Sequence, residues 1–237
     1  MIDINCDMGE GLENEEQLIP FISAANIACG YHAGNEETMR QVIKLCLQNN
    51  VHIGAHPSFD DKENFGRTAI QLPVKEIYNL ITTQLEIINA IAIECGAKLH
   101  HVKAHGALYN MAAKDVAMAK AIAQAVKDFD LSLVYYGLSG SVMIEEAAKL
   151  GLITANEVFA DRTYQTDGSL TPRSQKNALI DDSNELIKQV TKFIKENKVT
   201  TVTGEDIFLK ADTICIHGDG ANAVEFAKAI YESIHKI

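Results

Sequence analysis

Apolar residues recur at helical spacing in two clear stretches. Met39, Val42, Ile43, Cys46 and Leu47 form one stripe, and Leu186, Ile187, Val190, Phe193 and Ile194 form another, so both segments read as amphipathic helices lying on a core. A third helix is expected from Pro73 to Cys95, with proline at its start and Gly96 just past its end. Ala112 to Phe129, Ala221 to Ile234 and the shorter Gly140 to Leu150 read as three more. Asn35, followed by Glu36 and Glu37, has the chemistry of a helix cap with acids in the first turn.

Between the helices lie short β-like runs: Ile2 to Asp7, Ala25 to His32, Val51 to His56, Leu99 to His105, Leu131 to Gly137, Glu157 to Asp161 and Thr213 to Asp219. About seven β/α alternations without an intervening linker or repeat predict one α/β domain over residues 1–237, an irregular (β/α)7 barrel rather than an open sheet. Within the runs the polar residues sit two apart: Asn5 with Asp7, His52 with His56, His101 with Lys103 and His105, His217 with Asp219. Alternate residues share a strand face, so the barrel interior is expected to be partly hydrophilic. The last polar residue of each run falls at its carboxyl end, where parallel β/α folds place their active sites.

Composition narrows the partners. The 237 residues carry 32 acidic against 21 basic side chains, a formal charge of −11, which argues against nucleic acid and anionic membrane surfaces. The most apolar stretches, such as Ile87 to Ile93, are interrupted by Asn89 and end at Glu94, far short of the roughly 20 residues of a membrane span. The first residues lack the basic and apolar regions of a secretion signal, so a cytoplasmic location is expected. The five cysteines, widely spread and without a C-x-x-C pair, are expected to be reduced and packed as small hydrophobes.

The strand ends bring together Asp7 and Glu10, His32, His56, His105, Asp161 and Arg162, and finally His217 and Asp219. Four histidines on one rim constitute an acid/base kit. Asp7 with two or three of His32, His56, His105 and His217 also makes an O/N set that suits a divalent metal, although ligands from separate strands have no diagnostic spacing. Arg67, Arg162 and Arg173 are candidate anion clamps. Lys103, inside a strand, needs a buried partner, which Asp7 or a substrate anion would supply. Cys6 and Cys29 are candidates for the interior lining, without base spacing that would mark a nucleophile. No G-x-x-x-x-G-K-[ST] phosphate loop occurs.

Several strings carry a family resemblance: Asn5-Cys6-Asp7-Met8-Gly9-Glu10, Ala25 through Gly34, Gly54-Ala55-His56-Pro57-Ser58-Phe59, Asn64-Phe65-Gly66-Arg67, Val102 through Asn110, Glu157 through Arg162, and His217-Gly218-Asp219-Gly220. In this order, over nearly the whole chain, they resemble the LamB/YcsF family. Ala104 stands where relatives usually have proline, and Cys6 where a small residue such as alanine is common. The resemblance implies a barrel related to the glycoside hydrolase/deacetylase superfamily. It also implies ATP-dependent opening of 5-oxo-L-proline to L-glutamate, with 5-oxoproline and the cosubstrate ATP as ligands and B and C subunits as partners. On that reading Asp7, His32, His56, His105 and Asp219 supply the base and acid, while Glu10, Lys103, Asp161, Arg162 and His217 hold substrate. Two alternatives stay open: a stand-alone metal-dependent C–N hydrolase or deacetylase, and a non-catalytic substrate-binding subunit.

Overall fold

The computed structural model of the chain describes residues 2–235 except 219 and 221, so Asp219 lies outside the described residues. The first half runs β1 (Asp3–Met8), α1 (Glu15–Leu18), β2 (Ala24–Ala28), α2 (Glu36–Asn49), β3 (His52–His56), α3 (Val74–Glu94), β4 (His101–Lys103), α4 (Gly106–Ala112) and α5 (Val116–Phe129). The second half runs β5 (Val134–Leu138), α6 (Val142–Lys149), β6 (Ile153–Phe159), α7 (Ser183–Glu196), β7 (Lys198–Thr200), β8 (Asp206–Phe208), β9 (Thr213–Ile216) and α8 (Ala223–His235). Strands β1, β2, β3, β4, β5, β6 and β9 close, in that order, into a barrel in which all neighbours are parallel. Each overlaps one of the seven runs expected from the sequence, although β6 begins four residues before the expected Glu157 and ends at Phe159 rather than Asp161.

The differences have local causes. The helix expected from Ala112 to Phe129 starts instead at Val116, because the Asp115 carboxylate accepts the amides of Ala117 and Met118 at 2.9 and 3.0 Å; Ala112 is the last residue of the separate helix α4. The run from Ala25 to His32 leaves the ladder after Ala28, which places His32 in a loop above the barrel. The antiparallel ribbon β7–β8 was not expected; its strands are three residues each, too short for period to register. The Asn35 cap is present, its side chain accepting the Thr38 amide at 3.0 Å.

Outward-facing residues such as Met8, Ile27, Val102 and Ile214 are buried beneath the helices, whose apolar stripes include Met39, Val42 and Ile43 on α2 and Leu186, Val190 and Phe193 on α7. Inward-facing residues are polar yet equally buried: Asn5, Asn26, His101, Lys103, Glu157 and Thr213. They satisfy one another. His101 Nε2 donates to Asn26 Oδ1 at 2.8 Å, Asn26 Nδ2 to Asn5 Oδ1 at 2.7 Å and to Asp7 Oδ1 at 2.8 Å, and Asn5 Nδ2 to Thr213 Oγ1 at 2.8 Å. Thr213 and Tyr136 both donate to Asp3 Oδ2. Gly54 leaves room for the His101 ring: a Cβ there would lie 2.1 Å from His101 Nε2.

Cys6, Cys29, Cys46 and Cys215 are buried and Cys95 is half-buried, all five unbridged. Among the described residues no helix is long and apolar enough to cross a membrane.

Candidate active site

The polar network rises into a cavity of about 690 Å³ at the carboxyl end of the barrel. At its floor the Lys103 ammonium lies 2.9 Å from both Asp7 Oδ1 and Glu157 Oε1, and 3.2 Å from Asn5 Oδ1 and 3.0 Å from Cys215 Sγ. Burial would pull the Lys103 pKa down, but Asp7, Cys215 and Glu157 together push it well above the usual lysine range. Burial would likewise raise Asp7; His56 and Lys103 override it and hold the carboxyl well below the usual range. Asp7 therefore sits in the site as a carboxylate. Tyr109 donates to the other Glu157 oxygen at 2.7 Å.

Beside this pair stand Glu10, His32, His56 and His105. Asp7 Oδ2 is 3.3 Å from His56 Nε2, which in turn is 3.0 Å from His105 Nδ1. Glu10 Oε1 is 3.0 Å from His32 Nε2 and 3.4 Å from His105 Nδ1. Burial and the neighbouring His56 lower His32 to about 3; burial, His56 and His32 hold His105 well below the usual histidine range. The turn after β3 fixes this corner. Phe65 (φ 57°) and Gly66 (φ 65°) both take the left-handed conformation, bringing the Phe65 carbonyl to 2.9 Å from His105 Nε2. A left-handed phenylalanine is strained, so the fold holds this turn against its local preference. A Cβ on Gly66 would meet His105 and His32 at 2.9 Å.

The far wall carries the remaining candidates. His217 Nδ1 donates to Asp161, 3.0 Å from both carboxylate oxygens, and the ring stacks on Phe159. Burial would raise Asp161, yet His217 and then Arg162 hold it below the usual range. Arg162 spends Nε and Nη2 on the carbonyls of Ala178 and Thr171, pinning the loop 163–182 across the mouth. That loop contributes Arg173 to the lining, where Arg67 and Lys114 also stand.

The structure thus places Asp7, Glu10, His56, Lys103, His105, Arg162 and His217 on one cavity, with His32 and Asp161 directly behind Glu10 and His217. Sequence reasoning passed over Glu157, Tyr109 and Lys114. Glu157 had a signal: it is an acid two positions before Phe159 on a strand face that continues to Asp161. Among the described residues, two groups of side chains could hold a cation by proximity, one formed by Glu10, His32, His56 and His105 and one by Asp7, Cys215 and His217.

The model of the LamB/YcsF family matches residues 2–237. A protein named as the A subunit of 5-oxoprolinase, from Bordetella pertussis, is 51% identical over 234 residues, covering 97% of this chain and 93% of the relative. The protein of that name from Shouchella clausii is 53% identical, covering 97% and 92%. Among solved structures, the lactam utilization protein from Thermus thermophilus superposes with a TM-score of 0.93 at 38% identity, covering 99% of this chain and 96% of that one.

Proposed function

We propose, from the premise that the chain belongs to the LamB/YcsF family, that it is the ring-opening subunit of an ATP-dependent 5-oxoprolinase, working on 5-oxo-L-proline and ATP with B and C subunits as partners. A five-membered lactam resists hydrolysis because the amine it releases stays tethered to the acyl group, at an effective concentration that can reach about 10⁵ M or more. Coupling to ATP removes that obstacle. Transfer of the γ-phosphoryl group to the lactam oxygen forms an O–P bond as the bond to ADP breaks. C5, now a good electrophile, takes up water; the ring nitrogen leaves as it is protonated, giving γ-glutamyl phosphate. A second water splits this acyl phosphate into L-glutamate and phosphate.

The observation that supports the reading is the division of one cavity into two unlike ends. Its floor is rich in acceptors, with Asp7 and Glu157 on the Lys103 ammonium and Glu10, His56 and His105 beside them, while Arg67, Lys114 and Arg173 line the mouth. Acceptors on the floor suit removal of a proton from water and Lys103 suits the charge that develops on oxygen. The cations at the mouth suit a polyphosphate or the substrate carboxylate. The volume lies in the range of about 300–1000 Å³ that accepts drug-sized ligands, and a lactam of about nine non-hydrogen atoms fills a small part of it. With no phosphate loop in the sequence, the nucleotide is shared with the partner subunits.

The reading is tested by assaying 5-oxoproline-dependent ADP release with the chain alone and with its partner subunits. Turnover is expected in the complex only. In that complex Asp7→Asn is expected to lower kcat by about 10² or more, and Arg173→Ala to raise KM for ATP with kcat largely kept. Full turnover by the isolated chain would refute the shared nucleotide site. An Asp7→Asn variant changed in KM alone would reduce this chain to a binding module.

A further inference from the structure

At the corner formed by Glu10, His56 and His105, ligand-type atoms from three separate segments converge. The hydrogens on the two rings follow from the groups on their far sides. A carbonyl oxygen only accepts, so His56 carries its hydrogen on Nδ1, 2.7 Å from the Lys103 carbonyl, and His105 on Nε2, 2.9 Å from the Phe65 carbonyl. When both rings are neutral, His56 Nε2 and His105 Nδ1 face each other as acceptors at 3.0 Å, with Asp7 Oδ2 a further acceptor 3.3 Å from His56 Nε2. Glu10 Oε1 adds another acceptor, 3.4 Å from His105 Nδ1 and 4.0 Å from His56 Nε2.

The 3.0, 3.4 and 4.0 Å separations define a single point in the plane of these three atoms that is equally distant from all of them. It lies about 2.05 Å from each, within the about 2.0–2.2 Å that zinc takes to imidazole nitrogen and carboxylate oxygen. The planes of His56 and His105 stand at 82°, so both in-plane lone pairs can be directed at one point where the planes meet. His32 cannot join them. It stacks flat on His105, with 6° between planes and 3.8 Å between centroids, so the two ring planes meet only far from the cluster. Its Nε2 instead meets Glu10 Oε1 at 3.0 Å, while Nδ1 lies 2.9 Å from the Ser58 hydroxyl, itself 2.8 Å from the Phe59 carbonyl. Backbone carbonyls behind the histidines and an imidazole holding the carboxylate are the outer contacts that orient metal ligands.

We propose that Glu10 Oε1, His56 Nε2 and His105 Nδ1 bind one divalent transition-metal ion of the zinc type, with His32 as the group that positions Glu10. Two imidazoles and one carboxylate favour such an ion over magnesium or calcium, which take oxygen ligands. The faces above and below the ligand plane remain for a water or a substrate oxygen. The site stands on this geometry and does not require the reaction assigned above.

The test is a titration of the full chain, stripped with chelator, by Co²⁺ and then Zn²⁺. One Co²⁺ per chain is expected, with visible ligand-field absorption that stoichiometric Zn²⁺ abolishes. Glu10→Gln, His56→Ala and His105→Ala are each expected to lose the absorption, and His32→Ala to weaken binding by about 10- to 100-fold without abolishing it. His217→Ala is expected to bind as the unaltered chain does, because it belongs to the neighbouring Asp7, Cys215 and His217 group. Circular dichroism of each metal-free variant reports whether it is folded, and the isosteric Glu10→Gln keeps the test decisive should a histidine variant not fold. Failure of the unaltered chain to bind at micromolar metal would overturn the proposal. So would binding indifferent to Glu10→Gln, or binding abolished by His217→Ala. A chain that binds the ion yet never opens 5-oxoproline would sink the proposed reaction and leave the site standing.

Discussion

His101 and His105 lie four residues apart in the same segment, and both are buried in the barrel interior, yet their surroundings are opposite in kind. Around His101 every donor has found an acceptor: ring to Asn26, Asn26 to Asn5 and Asp7, Asn5 to Thr213, Thr213 to Asp3. Around His105 the neutral rings set acceptor against acceptor, with His56 Nε2 at 3.0 Å and Glu10 Oε1 at 3.4 Å. Satisfied buried polar groups specify a structure; converging acceptors call for a donor or a cation between them. On the proposed reading the lower layer is scaffold and the upper layer is site, although both are built from the same residue types. Lys103 is the seam between them, hydrogen-bonded downward to Asn5 and upward to Asp7 and ion-paired with Glu157.

Removing the seam is expected to have the largest effect. Lys103→Met keeps the volume but leaves Asp7 and Glu157 buried without their cation, at a cost of about 3–5 kcal/mol. The loss has a predictable pH dependence. Removing the ammonium takes away one of the groups that hold the Asp7 carboxyl below its usual range against burial, so Asp7 titrates higher than in the parent and the variant's loss of stability relative to the parent grows as pH rises through that range. Urea unfolding at pH 5 and pH 8 measures this. A variant as stable as the parent at pH 8 would mean that the two layers do not depend on the ammonium.

A smaller effect is expected within the scaffold. Gly54→Ala drives a Cβ to 2.1 Å from His101 Nε2, and overpacking of this kind costs about 1–3 kcal/mol. Adding His101→Ala should recover part of the loss, so the double-mutant cycle should show a coupling of about 1 kcal/mol or more. Strict additivity would show that Gly54 is not there for the ring.

The scaffold was largely legible in the sequence because period carries it. All seven barrel strands, the α2 and α7 stripes and the Asn35 cap follow from spacing and local chemistry. The polar faces, read two residues at a time, placed Asn5, Asp7, His101 and Lys103 inward, and Lys103 found the partner it needed in Asp7. What stayed hidden depends on the chain meeting itself. Glu157 joins the site only because β6 closes against β9 opposite Lys103, and Arg162 holds a loop through carbonyls 9 and 16 residues away. The division of labour among four rim histidines was equally hidden, since it rests on ring angles and on which carbonyl stands behind each ring.

The sharpest form of the comparison is expected to give the smallest change in stability. In chelator-treated protein, His105→Asn removes one of two facing acceptors and replaces it with an amide that can turn a donor toward His56 Nε2. Relief of that opposition offsets the lost Phe65 contact, so the metal-free variant should lie within about 1 kcal/mol of the parent, whereas a satisfied buried histidine such as His101 would cost more. Activity of the reconstituted complex should nevertheless fall by about 10²–10⁴. Stability kept while turnover is lost marks a group retained for chemistry rather than folding. If His105→Asn instead destabilises the metal-free chain as much as His101→Asn does, the upper layer is scaffold as well, and the distinction between the two histidines disappears.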